Sequence, residues 1–285
     1  MNAIILAAGT SSRFVPLSSE FPKGLLEVHG EILIERQIRQ LKEAGIEDIT
    51  VVLGYKADQF DYLAKEFSVS LVYNEDYARY NNSSSIFRVL DRLRDTFICC
   101  SDHYYVNNVF LDRDDDSFYA VQYSDGPTDE WCVKIDDSDR ILQVEVGGGH
   151  AWYLSGHAFF NQEYSNKFKD ILLKEYSHED VRRGYWEDVF VRHIDDLKMK
   201  AKRYSRDDFY EFDSLDELRL FDSSYLDNTR SPILQYIASR LGCRESQLHS
   251  FLRADIGRGD FYFDFEDEHY LYKGSTAEIF KRDFS

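Results

Sequence analysis

The sequence predicts an α/β fold: a doubly wound, mostly parallel sheet in a Rossmann-like three-layer arrangement, with an antiparallel insertion and a small α+β appendage. Three observations predict it. Apolar runs of strand length alternate with helical periodicity through the first hundred residues. The first run, Ala3 to Leu6, passes directly into the small residues Ala7, Ala8 and Gly9, where successive backbone N–H groups make an anion cradle. From Phe118 to Phe160, strand patterns follow one another with no helix between them.

Each element has its own signal. Ile32 to Ala44 carries Ile34, Ile38 and Leu41 on one helical face, and Gly45 stands where a helix C-cap belongs. Ile49 to Leu53 is a buried-strand run. Ala57 to Phe67 groups Phe60, Leu63 and Ala64 on a helical face. Leu71 to Tyr73 reads as a strand, Ser85 to Leu93 as a helix through Ile86, Leu90 and Leu93, and Phe97 to Cys100 as a strand. Four strands are then expected: Phe118 to Tyr123, Trp131 to Ile135, Ile141 to Val146 and Trp152 to Phe160. Asp125-Gly-Pro, Asp136-Asp-Ser-Asp and Gly147–Gly149 separate them, the last as a flexible turn because no helix follows it. Helices return at Gln162 to Tyr176, Glu187 to Leu197 and Leu215 to Phe221. Asp222 to Ser231 is polar and linker-like. Ser231 caps an amphipathic helix with Pro232 at its first position, and Phe261–Phe265 with His269–Tyr272 reads as a hairpin. The expected division is a main domain over 1–222 and an appendage over 223–285.

Composition narrows the function. The chain of 285 residues is 43% hydrophobic and 15% aromatic, which is globular rather than disordered. Its 34 Lys and Arg face 52 Asp and Glu, a net charge of −18 with no basic run, so nucleic acid is not an expected partner. Small anions remain compatible, because a few cations and a metal dominate locally. No stretch suits membrane insertion and no leader pattern precedes the first strand, so a cytoplasmic protein is expected. The four cysteines have no C-x-x-C spacing and are expected to be reduced.

The first strand leads into Thr10, Ser11, Ser12 and Arg13, and Lys23 follows between Pro22 and Gly24. A guanidinium fork and an ammonium at the lips of a phosphate loop make the entrance of a nucleotide site. Leu6-Ala-Ala-Gly, Arg13, Pro16 and Pro22-Lys23 resemble the signature of the sugar-nucleotide-type nucleotidyltransferases, with Ser11 where that family mostly has glycine. The likeness sharpens further along. Asn74–Asn82, Thr128-Asp-Glu-Trp131, Leu154-Ser-Gly-His157, Tyr185-Trp-Glu-Asp188 and Tyr210-Glu-Phe-Asp-Ser214 resemble, in order and spacing, the bacterial CTP:phosphocholine cytidylyltransferases. This resemblance covers roughly residues 1–222. It implies the nucleotidyltransferase form of the fold, an enzyme using CTP, transfer of CMP to phosphocholine, and Mg²⁺ as cofactor. The tail resembles the opening of a choline-kinase-like domain that stops short of any kinase catalytic loop, which implies a non-catalytic remnant.

The site residues follow. Leu6, Ala7, Ala8, Gly9, Thr10, Ser11 and Ser12 form the nucleotide loop, with the backbone of Ala7 to Gly9 offered to cytosine and ribose. Lys23 is expected at the α-phosphate and its transition state, and Arg13 at the β and γ phosphates. Asp102, just past the Phe97–Cys100 strand, is either a turn former or a magnesium ligand, the second being favoured beside a phosphate loop. Glu187 or Asp188 completes the metal site, and the resemblance favours Glu187. Tyr80, Asn82 and Ser85 either approach the nucleotide or cap a helix. Trp131 and Trp186, beside Asp129, Glu130 and Glu187-Asp188, are either core packing or an aromatic site for the substrate cation, and the resemblance favours the cage. The second substrate stands between phosphocholine, 2-aminoethylphosphonate and phosphoethanolamine. A sugar-1-phosphate nucleotidyltransferase and an inactive nucleotide or choline sensor are the more distant readings, and a homo-oligomer is left open.

Overall fold

The structure is a computed structural model and describes residues 1–112, 115–254, 257 and 259–282. In chain order the strands and helices begin with β1 (Asn2–Ala7), α1 (Leu17–Glu20), β2 (Glu27–Val28), β3 (Glu31–Ile32), α2 (Leu33–Glu43), β4 (Ile49–Leu53), α3 (Tyr62–Glu66) and β5 (Ser70–Tyr73). Next come α4 (Asn82–Phe87), β6 (Thr96–Cys100), β7 (His103–Tyr105), β8 (Phe118–Ile135), β9 (Ile141–Phe160), α5 (Gln162–Glu175), α6 (Glu179–Arg183) and α7 (Trp186–Arg192). The chain then forms β10 (Lys200–Arg203), β11 (Phe209–Glu211), α8 (Leu215–Phe221), α9 (Pro232–Leu241), β12 (Leu248–Arg253), β13 (Phe261–Phe265), β14 (Glu268–Lys273) and β15 (Glu278–Arg282).

These elements form two compact units: Met1–Gly9 with Leu33–Glu211, and Thr10–Ile32 with Phe212–Ser285. The units are drawn differently from the division by likeness at residue 222, because the stretch from Thr10 to Ile32 gathers with the C-terminal part of the chain.

The first unit is built on a seven-stranded sheet in the order β10-β8-β9-β6-β1-β4-β5. β1 lies inside it, parallel to both β4 and β6. All six of its residues are buried, as a continuous apolar run in a parallel sheet requires. The large core joins Ile4, Val52 and Ile98 of the sheet to Phe168 and Leu172 of α5 and to Trp186 and Phe190 of α7. The α/β class read from the sequence is the observed one.

Several expected elements change form. The four strands of the insertion are two long ones, β8 and β9, paired antiparallel. Their supposed turns face each other: Pro127 pairs with Gly149 and Thr128 with Gly148, so neither side leaves the ladder. Bulges absorb the extra residues, and Gly147 takes φ +80° there rather than making a flexible turn. The tip of this ribbon returns to the sheet edge, where Arg140 bridges Lys200 and the Ile141 N–H donates to the Met199 carbonyl. The helix expected over Ala57 to Phe67 is a 3₁₀ turn at Ala57–Phe60 followed by α3. The helix expected over Ser85 to Leu93 starts earlier, at Asn82, and breaks into a 3₁₀ turn at Leu90–Arg92. That expected over Glu187 to Leu197 stops at Arg192.

In the second unit, β12 to β15 form a four-stranded antiparallel sheet in sequence order, so the expected hairpin is its centre. Ser231 caps α9 as expected, its hydroxyl accepting the Leu234 N–H. Asp222 to Ser231 is not a free linker. Asp222, Tyr225, Thr229 and Ser231 are buried. Asp222 accepts the His29 N–H, and the Tyr225 hydroxyl donates to the Glu27 carbonyl. The polar residues that give the stretch a linker-like composition are used as hydrogen-bonding partners.

Candidate active site

The first unit holds the start of the nucleotide loop. Leu6, Ala7 and Ala8 are buried at the end of β1, and Gly9 emerges where an added Cβ would meet nothing within 4 Å. The Ala8 carbonyl accepts the Tyr55 N–H. Gly54 lets the chain pass that close: a Cβ there would stand 2.5 Å from the Tyr77 side chain and 2.8 Å from the Ala8 oxygen. The junction is held from beneath and open above.

The remainder of the loop belongs to the second unit. Ser11, the departure from glycine, sits at φ 48°, in the left-handed region where a side chain is disfavoured, so this position has a glycine-type backbone without a glycine. Lys23 starts a 3₁₀ turn after Pro22 and is only 5% exposed. Its ammonium lies 3.7 Å from Asp213, and the Arg13 guanidinium lies 3.0 Å from the same carboxylate. The two expected phosphate cations therefore share one counter-ion. Asp213 was not among the expected site residues, although it stands inside the quoted Tyr210–Ser214 stretch.

The first unit also gathers acids past the end of β6. Asp102 lies 3.5 Å from His103 Nδ1, and Glu211 lies 3.4 Å from His103 Nε2. Pairing of the short strands β7 and β11 sets Glu211 opposite His103, so a residue distant in sequence joins Asp102. Glu187 completes the group. Burial pushes the Cys100 thiol well above its ordinary range, and the charges of Asp102, Glu187 and Glu211 each add to that push. Three carboxylates thus act on one half-buried thiol.

Glu187 is half-buried near the start of α7, receiving hydrogen bonds from Asn82 Nδ2 (3.2 Å) and the Tyr119 hydroxyl (3.0 Å). Burial pushes its carboxyl up to about 7 despite those bonds. Asp188 does different work: its carboxylate accepts the Tyr185 N–H at 2.7 Å and caps α7. Asp102, Glu211 and Glu187 are hard oxygen donors of the kind that suit a divalent cation. Among the described residues no three His, Cys, Asp or Glu side chains make a finished metal cage. One or two carboxylates completed by substrate phosphates is the arrangement these donors fit.

The aromatic residues part company. Trp186 is 2% exposed, stacked on Tyr119 at 5.5 Å and edged by Phe160 at 5.2 Å and Phe168 at 6.1 Å. It is core and presents no face to a ligand, which corrects its expected place in a cation site. Its neighbour Tyr185 is 45% exposed, and the half-buried Trp131 meets it edge to face at 5.9 Å. The exposed Asp129 and Glu130 precede Trp131 on β8. Tyr185 had carried no expected role; its position beside Trp186 in the same quoted motif was the available signal.

Tyr80, Asn82 and Ser85 are engaged internally. Tyr80 is buried with the guanidinium groups of Arg79 and Arg182 over its ring at 4.9 and 5.1 Å. Asn82 ties the Trp186 N–H (2.8 Å) and Glu187 together, and Ser85 accepts a hydrogen bond from Asn74. Asn81 provides the cap of α4. Of these, Asn82 bears on the site, through Glu187 and the helix start that presents it, while the Tyr80 hydroxyl donates to Glu179.

His157, in the quoted Leu154–His157 motif, is buried in a ring cluster with Phe97, Tyr105, Phe110, Phe118 and Tyr204. Burial, with the positive charges of His103 and Lys202 adding to it, pushes its pKa from 6.5 down to about 3. Its stabilising contribution is therefore complete above the unfolded value and drains away as pH falls below it, since the unfolded chain takes up the proton first. Between about pH 7 and about pH 5.5 the wild-type protein is expected to lose about 1 kcal/mol more stability than His157→Phe. Urea unfolding of both proteins at the two pH values checks this. Parallel losses would show that His157 stays protonated or solvated in the fold.

A parallel sheet with a small-residue phosphate loop, two basic residues following it and acids beyond a neighbouring strand defines a nucleotidyltransferase. Residues 3–114 match the MobA-like NTP transferase domain family. The chain is 33% identical over 219 residues to a choline-phosphate cytidylyltransferase of Streptococcus pneumoniae, covering 77% of this chain and 96% of that protein. It is 35% identical over 234 residues to a 2-aminoethylphosphonate cytidylyltransferase of Lancefieldella rimae, covering 81% and 95%. The solved CTP:phosphocholine cytidylyltransferase from Streptococcus pneumoniae superposes with a TM-score of 0.75 at 33% identity, over 78% of this chain and 98% of the other. The chain belongs to the bacterial cytidylyltransferase family that holds these proteins. No helix among the described residues is long and apolar enough to cross a membrane.

Proposed function

We propose that the chain transfers CMP from CTP to phosphocholine, forming CDP-choline and releasing pyrophosphate. The observation that carries this reading is the half-open aromatic corner of Trp131 and Tyr185, with Tyr185 at the cap of the helix that bears Glu187. Aromatic faces attract a trimethylammonium group, which can donate no hydrogen bond. A phosphocholine oxygen attacks the α-phosphorus of CTP, the α–β bridging bond breaks, and pyrophosphate leaves with its electron pair. The attacking phosphate is already ionised near neutral pH, so no side chain need remove a proton. Lys23 neutralises the charge developing on the α-phosphate, and Arg13 holds the β and γ phosphates, both turning from Asp213 to the nucleotide. Mg²⁺, held by Asp102 with Glu211 or Glu187, would supply charge neutralisation at the phosphate oxygens.

The second reading is 2-aminoethylphosphonate as acceptor. The core position of Trp186 favours it, since two aromatic faces remain beside the exposed carboxylates of Asp129 and Glu130, which suit a hydrogen-bonding primary ammonium. Pyrophosphate release should be fastest with CTP, and equal rates with UTP would defeat the cytidylyltransferase assignment. With CTP fixed, kcat/KM for phosphocholine, phosphoethanolamine and 2-aminoethylphosphonate ranks the acceptors. A lead for phosphocholine, with Trp131→Ala and Tyr185→Ala each losing roughly tenfold, supports the aromatic corner. If 2-aminoethylphosphonate leads and phosphocholine is nearly inert, the second reading takes its place.

A further inference from the structure

The first unit holds a cavity of about 280 Å³ whose charged lining is Arg140, Lys167, Lys198 and Lys200 with Asp116, Glu163 and Asp196, beside the start of α5 at Asn161. It lies at the end of the sheet opposite the nucleotide loop. Asn161 follows Phe160, which pairs with Thr96, and Thr96 pairs with Asn2 at the beginning of β1, whereas the loop leaves β1 at Ala7. In a chain of net charge −18, four cations here outnumber the three carboxylates of the lining. Two of them have carboxylate partners: Lys167 meets Glu163 at 2.7 Å and Lys200 meets Asp116 at 2.6 Å. Arg140 and Lys198 do not; no carboxylate among the described residues comes within ion-pair distance of either.

Arg140 is the sharper case. Its Nε is buried and finds no acceptor among the described residues. The adjacent acid, Asp139, pairs with Arg203 at 2.8 Å, and Asp136 uses its carboxylate on the N–H groups of Ser138 and Arg140 and on the Ser138 hydroxyl. A guanidinium N–H withdrawn from solvent without an acceptor calls for one, and its planar fork matches an oxyanion. Arg140 is held here by the returning β8–β9 tip, which bridges it to Lys200 on β10, so its placement is fixed by backbone pairing.

We propose that this cavity is a second anion site, separate from the nucleotide site, which binds a phosphate group through Arg140 and Lys198. Calorimetric titration with inorganic phosphate tests it, using the full chain carrying Lys23→Ala to weaken phosphate binding at the nucleotide loop. Binding with a Kd of about 1 mM or tighter is expected. Arg140→Gln added to that chain should weaken it at least about tenfold, the loss expected when a charge-assisted fork is removed, and Lys198→Gln should weaken it less. Thermal unfolding without phosphate shows whether each variant folds; if Arg140→Gln does not, Arg140→Lys and Lys198→Gln decide the matter by the same loss of affinity. Absence of binding, or binding unchanged in the folded variants, overturns the proposal. Repeating the titration with glycerol phosphate names the source: tighter binding than inorganic phosphate assigns the cavity to a phosphate monoester, and equal or weaker binding assigns it to free phosphate.

Discussion

Replacing Lys23 with alanine is expected to lower kcat for pyrophosphate release at least about a hundredfold, the scale of removing one preorganised electrostatic stabiliser. Lys23 is buried to 5% exposure directly after Pro22, so its ammonium is held in place and partly stripped of water. An ion in that condition acts more strongly on a developing charge than the same ion on a surface arm. Its present partner, Asp213, is 3.7 Å away and is shared with Arg13 at 3.0 Å, so removing the lysine does not leave that carboxylate alone. The fold should survive, which circular dichroism and thermal unfolding check. Because the interaction strengthens in the transition state, kcat should fall more than KM rises. Arg13→Ala, whose side chain is 77% exposed, should act mainly by raising KM for CTP. Near-normal kcat in folded Lys23→Ala would remove the mechanism, whichever acceptor the enzyme uses.

The parts of the fold and site legible in the sequence are those with local signals. The apolar run of β1, its exit through Ala7 to Gly9, and Lys23 between Pro22 and Gly24 are each contiguous in the chain. Glu211 and Asp213 stand in the quoted Tyr210–Ser214 stretch, but nothing local to it marks which residues they meet. Glu211 ends a three-residue strand whose partner, β7, lies about a hundred residues earlier, and that pairing brings it beside His103 and Asp102. β10 was equally hidden: Lys200-Ala-Lys-Arg203 shows no strand-like alternation, and it becomes a strand because Phe118 to Val121 offers an edge. The insertion misled for another reason. Gly126-Pro127 and Gly147–Gly149 have turn composition, but facing each other across a ladder they make bulges in one continuous ribbon.

Trp186→Ala is expected to destabilise the protein by about 3–5 kcal/mol, the cost of emptying a large aromatic site that the core cannot refill. The ring is 2% exposed and enclosed by Tyr119, Phe160 and Phe168. It also stands one residue before Glu187 and receives the Asn82 side chain on its backbone N–H, so the same loss should loosen the start of α7. A one-residue step at a helix start turns a side chain through about 100°, which is why Tyr185 and Trp186, equal as aromatic neighbours of acids in the sequence, part to solvent and core. The paired control is Tyr185→Ala, which removes a 45% exposed ring and should cost well under about 1.5 kcal/mol of stability while weakening acceptor use. Urea unfolding with acceptor kinetics on both variants separates the two roles. Trp186→Ala should move the unfolding midpoint far down, and Tyr185→Ala should move kcat/KM for the acceptor and leave the midpoint nearly in place. A stable Trp186→Ala protein with selectively impaired acceptor binding would return Trp186 to the cation site and show that its ring reaches the ligand in the working enzyme.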